Sequence, residues 1–146
     1  MVLLVDYIIQ TDDPSMEYIK SVAPIKLMVP LKNFHVAKSW ITECEIANEE
    51  CPKQKMVKLP TRLVEVSPLM QPKAARLRTT AGQKGLYIAL SYCWGGPQPF
   101  KTTIANFHAY TESLPYDSLP KTILDAFEVS RNLEIQFIWI DSLCII

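Results

Sequence analysis

Leu86–Gly96 (LYIALSYCWGG), Leu119–Leu133 (LPKTILDAFEVSRNL) and Phe137–Ile146 (FIWIDSLCII) follow one another in the last third of the chain, and their order decides the fold. Leu86–Trp94 is apolar on both of its alternating faces: Leu86, Ile88, Leu90, Tyr92 and Trp94 on one, Tyr87, Ala89, Ser91 and Cys93 on the other. A strand with no strongly polar face is one covered on both sides, as in a parallel sheet. The middle segment predicts an amphipathic helix. Pro120 suits a first helical turn, Ile123, Leu124 and Phe127 form the stripe, Asn132 stops it, and Asp125, Glu128 and Arg131 read as a solvated face. Ile135–Ile140 is β-branched and aromatic, hence a second strand.

Strand, crossover helix and strand imply a parallel pair. Two parallel strands close in one sheet place their carboxyl ends on one edge, where ligands of open α/β sheets bind. Ser91, Tyr92, Trp94, Gly95, Asp141 and Cys144 then converge as candidate ligand-binding or site-shaping residues. Asp141 either orients a ligand hydroxyl or fixes a loop. Tyr92 and Trp94 either stack on a flat ligand or pack in the core. Gly95 and Gly96 either admit a ligand to the backbone or turn the chain. Ser91 and Cys93 are poor nucleophiles, because a nucleophile needs a base. The histidines are His35, far upstream, and His108 in a long connection, and no G-x-S-x-G elbow is present. No catalytic residue is identified. Cys93 and Cys144 read as two buried thiols.

Outward from this stretch, residues 97–118 form a long connection in which Thr103–Tyr110 suggests a short helix capped by Thr103. Upstream, Leu63–Val66 alternates as a short strand, and Ala75–Thr79 can pair back on it before a turn at Ala81–Gly85. Residues 33–48 have helical spacing, with Val36, Ala37, Trp40, Ile41, Cys44 and Ala47 as a buried stripe centred on tryptophan. Residues 11–31, with three prolines, read as a loop, and Met1–Gln10 as a strand without the basic lead of a signal peptide.

At 146 residues one domain is the default. Lys+Arg and Asp+Glu both number 15, so there is no basic footprint for nucleic acid and no polybasic patch for a membrane. No apolar run is long enough to span a bilayer. Without a secretory signal, Cys44, Cys51, Cys93 and Cys144 read as reduced thiols of a cytoplasmic protein. Cys44 and Cys51 are six residues apart, poor spacing for zinc, and no metal site is expected.

The three segments together resemble the HET (heterokaryon incompatibility) domain of filamentous fungi. The resemblance rests on Tyr87, Ala89–Tyr92 and Trp94-Gly95; on Leu119-Pro120, Thr122 and Asp125-Ala126; and on Trp139, Asp141 and Leu143-Cys144-Ile145. Asn106 and the upstream Trp40, Cys44, Cys51 and Leu59–Val66 also fit, whereas Asn48 stands where relatives often have histidine. Ordered blocks are far more specific than one short motif. The family continues beyond the third block, so the resemblance covers only the N-terminal part of such a domain.

The resemblance implies an α/β fold: an incomplete TIR-like or Rossmann-like parallel sheet of strand, helix and strand, with an N-terminal helix and hairpin extension. It divides the chain into an extension at 1–58, a hairpin lead-in at 59–85 and a truncated HET domain at 86–146. It implies a signalling module of non-self recognition and programmed cell death, working through protein partners or self-association. The alternatives are a TIR-type enzyme consuming NAD, with its catalytic carboxylate beyond Ile146, and an inactive truncated remnant. Two parallel strands and one helix alone expose too much apolar edge for independent stability.

Overall fold

The computed structural model describes residues 30–50, 56–66, 74–94, 96 and 98–146. The strand expected at Met1–Gln10, the loop expected over most of 11–31, and Cys51, Pro68, Pro72 and Gly95 lie outside the described residues. The elements are helix α1 (Pro30–Ala47), strands β1 (Val57–Lys58), β2 (Arg62–Val66), β3 (Ala75–Thr79), β4 (Lys84–Gly85) and β5 (Ile88–Ala89), helix α2 (Phe107–Glu112), a 3-10 turn (Tyr116–Ser118), helix α3 (Lys121–Asn132), strand β6 (Phe137–Trp139) and helix α4 (Asp141–Cys144).

The fold is α/β, and the expected parallel unit is present: β5 pairs in parallel with β6, with Ile88 opposite Ile138 and Ala89 opposite Trp139. The sheet is mixed, with strand order β3-β2-β6-β5. The β2–β3 hairpin pairs antiparallel through five residues, and β2 also pairs antiparallel with β6. Strand β6 is therefore flanked on both sides, which covers one of the two edges that a lone parallel pair would leave.

One row crosses the whole sheet: Leu77, Val64, Ile138 and Ile88, each opposite the next and each buried. Cross-strand neighbours on one face are the unit of sheet stabilisation. They share one apolar cluster with Ile123 and Phe127 of α3 and with Leu143 of α4. Helix α2 lies against β3, where the Leu114 N–H donates to the Ala75 carbonyl at 2.8 Å.

Helix α3 begins after Pro120, whose carbonyl accepts the N–H groups of Ile123 and Leu124. It ends in a Schellman turn. The Ile135 N–H donates to Ser130 O and the Glu134 N–H to Arg131 O, both at 3.0 Å. Glu134 holds the left-handed position at φ 61° that usually falls to glycine. The Ser130 hydroxyl, fully buried, adds a bond to the Ile135 carbonyl at 2.6 Å. In the turn before β4, Gly82 has φ +83° for the same backbone reason.

Several expectations are corrected. The first strand is paired only at Ile88–Ala89, with Leu90 adding one bond to the Trp139 carbonyl, because its partner β6 is itself only three residues long. Beyond Leu90 Tyr92 still packs against the core, but Cys93 is exposed, and only Cys144 of that pair is a buried thiol. Helix α1 exists, but its stripe is covered only in part: Val36, Ala37 and Ile41 are half-buried, while Trp40 is 66% exposed. Periodicity marks a face but does not say what covers it. Arg131 is only 8% exposed: it donates to the Tyr116 hydroxyl at 3.0 Å and stacks over that ring at 5.6 Å. The aromatic turn takes both the charge and the stem. Helix α2 starts at Phe107 and not at Thr103, because the Asn106 side chain accepts the Thr103 N–H at 2.8 Å and closes a separate turn first. Cys44 is disulfide-bonded, not reduced. The reduced reading rested on compartment alone, whereas pairing is decided by proximity.

Candidate functional site

The carboxyl ends of β5 and β6 meet as the parallel pairing requires, and side chains clasp them. The Trp94 indole Nε1–H donates to Asp141 Oδ2 at 3.0 Å. The hydroxyls of Tyr92 and Ser142 share a hydrogen bond at 3.1 Å. Asp141 is not a strand residue. It opens α4, and its Oδ1 accepts the Ser142 N–H at 2.6 Å. One carboxylate thus holds both the loop after β5 and the first turn after β6.

A second layer fixes α4 from behind. Buried Thr102 donates its N–H to the Ser142 carbonyl at 2.9 Å and its hydroxyl to the Leu143 carbonyl at 2.6 Å. Arg62, from the hairpin, donates through Nε to the Cys144 carbonyl at 2.8 Å. The Cys144 thiol sits in the core at 4% exposure and accepts the Ile140 N–H at 3.5 Å. Burial, the largest influence, pushes this thiol up to about 11, against weaker downward pulls from backbone hydrogen bonds and Arg62. At neutral pH it is protonated and inert as a nucleophile.

Of the candidate residues, Tyr92, Trp94 and Asp141 come together with bonded side chains. Ser91 is exposed at the same rim, Cys144 lies beneath it in the core, and Gly95 is outside the described residues. Ser142, Thr102 and Arg62 were not singled out by sequence. Ser142 adjoins Asp141 in its block, so its signal was present. Thr102 and Arg62 reach α4 across long stretches of chain, for which no local pattern exists. An open groove of about 470 Å³ runs beside the clasp, lined by Trp94, Lys101, Ile104, Asp141, Ile145 and Ile146 among others. Among the described residues, no group of three His, Cys, Asp or Glu side chains is placed to hold a metal ion, and no helix is long and apolar enough to cross a membrane.

Residues 87–146 match the family model for the heterokaryon incompatibility protein (HET), and at family level this ties that stretch to heterokaryon incompatibility. The match begins at β5's lead-in and takes in the clasp, the groove and α4. No curated protein and no solved structure matches the chain.

Proposed function

With residues 87–146 carrying the heterokaryon incompatibility match, we propose that the chain acts as a signalling module of non-self recognition that promotes programmed cell death through protein contacts. The observation that carries this reading is the clasp. Trp94 and Asp141 come from two separate blocks of the matched stretch and are bonded at 3.0 Å, beside an open apolar groove. A clasp whose bonds are already made internally shapes a surface; it does not present free groups to a reacting substrate. Protein partners or further copies of the chain suit such a surface. The formal net charge of zero supplies no attraction for nucleic acid.

The reading places the chain in the cytoplasm. The disulfide at Cys44 speaks for an oxidising compartment, and cell fractionation with thiol trapping decides between the two. Expression in a filamentous fungus tests the function itself. The wild-type chain should arrest growth, and Asp141→Ala, which removes both bonds of the carboxylate, should relieve the arrest at matched protein level. Unimpaired growth with the folded wild-type chain would overturn the proposal.

A further inference from the structure

The formal net charge of zero is a sum over unequal parts. Residues 51–85 hold eight of the 15 basic residues and one of the 15 acidic ones, Glu65, whereas residues 1–50 and 86–146 each hold twice as many acidic as basic residues. The described part of the basic stretch forms one ribbon. Strand β1 pairs antiparallel with β4, and β2 with β3. The Leu59 N–H donates to Gln83 O and the Thr80 N–H to Thr61 O, both at 2.9 Å, which carries the pairing across the bend between them.

Lys58, Arg76, Arg78 and Lys84 stand exposed on this ribbon. Lys58 lies directly opposite Lys84, and neither ammonium has a hydrogen bond or ion pair to a described residue. Like charges in that position oppose strand pairing, so the two lysines do nothing for the fold that holds them. Arg76 and Arg78 are two residues apart on β3, which puts them on one face about 7 Å apart. Both reach the same Glu65 carboxylate through Nε, at 2.6 and 3.5 Å. One carboxylate cannot neutralise two guanidiniums, and neither arginine has an ion pair to another described carboxylate. Glu65 therefore holds in place two planar groups whose shape matches further carboxylates. Groups fixed before contact dock at little ordering cost.

We propose that this ribbon docks a short segment, rich in Asp and Glu, of a partner protein. Charge selects an acidic occupant, and the rest of the chain selects a short one. Screening confines attraction to about 8–10 Å from the surface, so a short segment laid on the ribbon meets only its cations. A long polyanion (a nucleic acid, or the anionic face of a bilayer) runs on past the ribbon and meets the acidic remainder of the chain. The described ribbon also has no aromatic side chain on which a base could stack. The inference deepens the interaction reading above by giving the partner's chemistry, and it rests on that reading only in taking protein contact as the role of the chain.

Fluorescence anisotropy of a short labelled oligoglutamate peptide, titrated with the full chain, tests it. The wild type should bind, with affinity falling as salt rises. Lys84→Glu turns the like pair across β1 and β4 into an opposite one, so it should hold or raise the melting temperature while raising the peptide dissociation constant roughly tenfold or more. Arg76→Gln combined with Arg78→Gln should weaken binding in the same way, and Lys101→Glu, outside the ribbon, should leave it unchanged. Circular dichroism checks that each variant is folded, and Lys84→Glu decides if the arginine variant is not. No binding of oligoglutamate, undiminished binding in the ribbon variants, equal weakening by Lys101→Glu, or tighter capture of a long single-stranded oligonucleotide or of phosphatidylserine vesicles would overturn the inference. So would salt-sensitive self-association of the chain alone that Lys84→Glu abolishes, since the acidic segment would then be the chain's own. Growth arrest by a wild type that binds no oligoglutamate overturns this inference alone; binding without growth arrest overturns only the signalling reading.

Discussion

Replacing Cys144 with alanine should change how stability depends on alkaline pH, and the structure sets the size of the change. The folded thiol ionises near 11 against 9.0 for an unburied one. Below pH 9 it is protonated in both states and its contribution is complete. Above pH 9 the unfolded chain ionises first and the folded chain resists, so stability drains until the folded thiol also ionises near pH 11. Two pH units of difference correspond to about 3 kcal/mol, a large share of the roughly 5–15 kcal/mol that a domain has in total. Alanine removes this term and loses about 1 kcal/mol of packing at neutral pH. Urea unfolding of both proteins from neutral pH to beyond 11 measures the difference, in which tyrosine and lysine titrations common to both cancel. The wild type should be the more stable at neutral pH, the curves should cross between pH 9 and 11, and the variant should be the more stable above. A gap that stays constant with pH would show that the thiol is not held in the core.

Two further changes test the rim and the helix end. Trp94→Phe keeps an aromatic ring but removes the donor to Asp141, so it should lower stability by about 1 kcal/mol or less and speed amide exchange in residues 90–101, read by mass spectrometry; unchanged exchange would mean the bond does not hold that loop. Glu134→Gly relieves the left-handed backbone at the end of α3 while breaking the ion pair to Lys38 at 2.7 Å, and because exposed pairs contribute little, the melting temperature should rise. A fall would show that the tie to α1 outweighs the backbone strain.

The parallel β5–α3–β6 order was legible because its signals are local. The Ile123, Leu124 and Phe127 spacing and Asn132 at the end sit within one helix, with Pro120 just before its first residue. The meeting of Trp94 and Asp141 followed from strand direction alone. The rest depended on partners far away in sequence. Nothing in Leu63–Val66 says that this strand docks antiparallel on β6, since register is set by the assembled face. Helical spacing in α1 identified an apolar side but could not supply a surface to cover Trp40. Arg131 looked solvated on a helical wheel, while Tyr116, fifteen residues earlier, buries it. Asp141–Cys144 followed the second strand with no helix expected there. The Asp141 carboxylate and Thr102, which fold it into a helical turn, act through hydrogen bonds that hydrophobic patterning does not register.

The two flanks of the four-stranded sheet are unequal. At β3 the outer carbonyl of Ala75 already accepts from Leu114, and α2 lies alongside. At β5 the strand order ends, with β6 as its one ladder partner among the described residues. The two edges differ in cover: a β3 carbonyl is bonded to the chain that follows α2, whereas beside β5 no second strand pairs among the described residues.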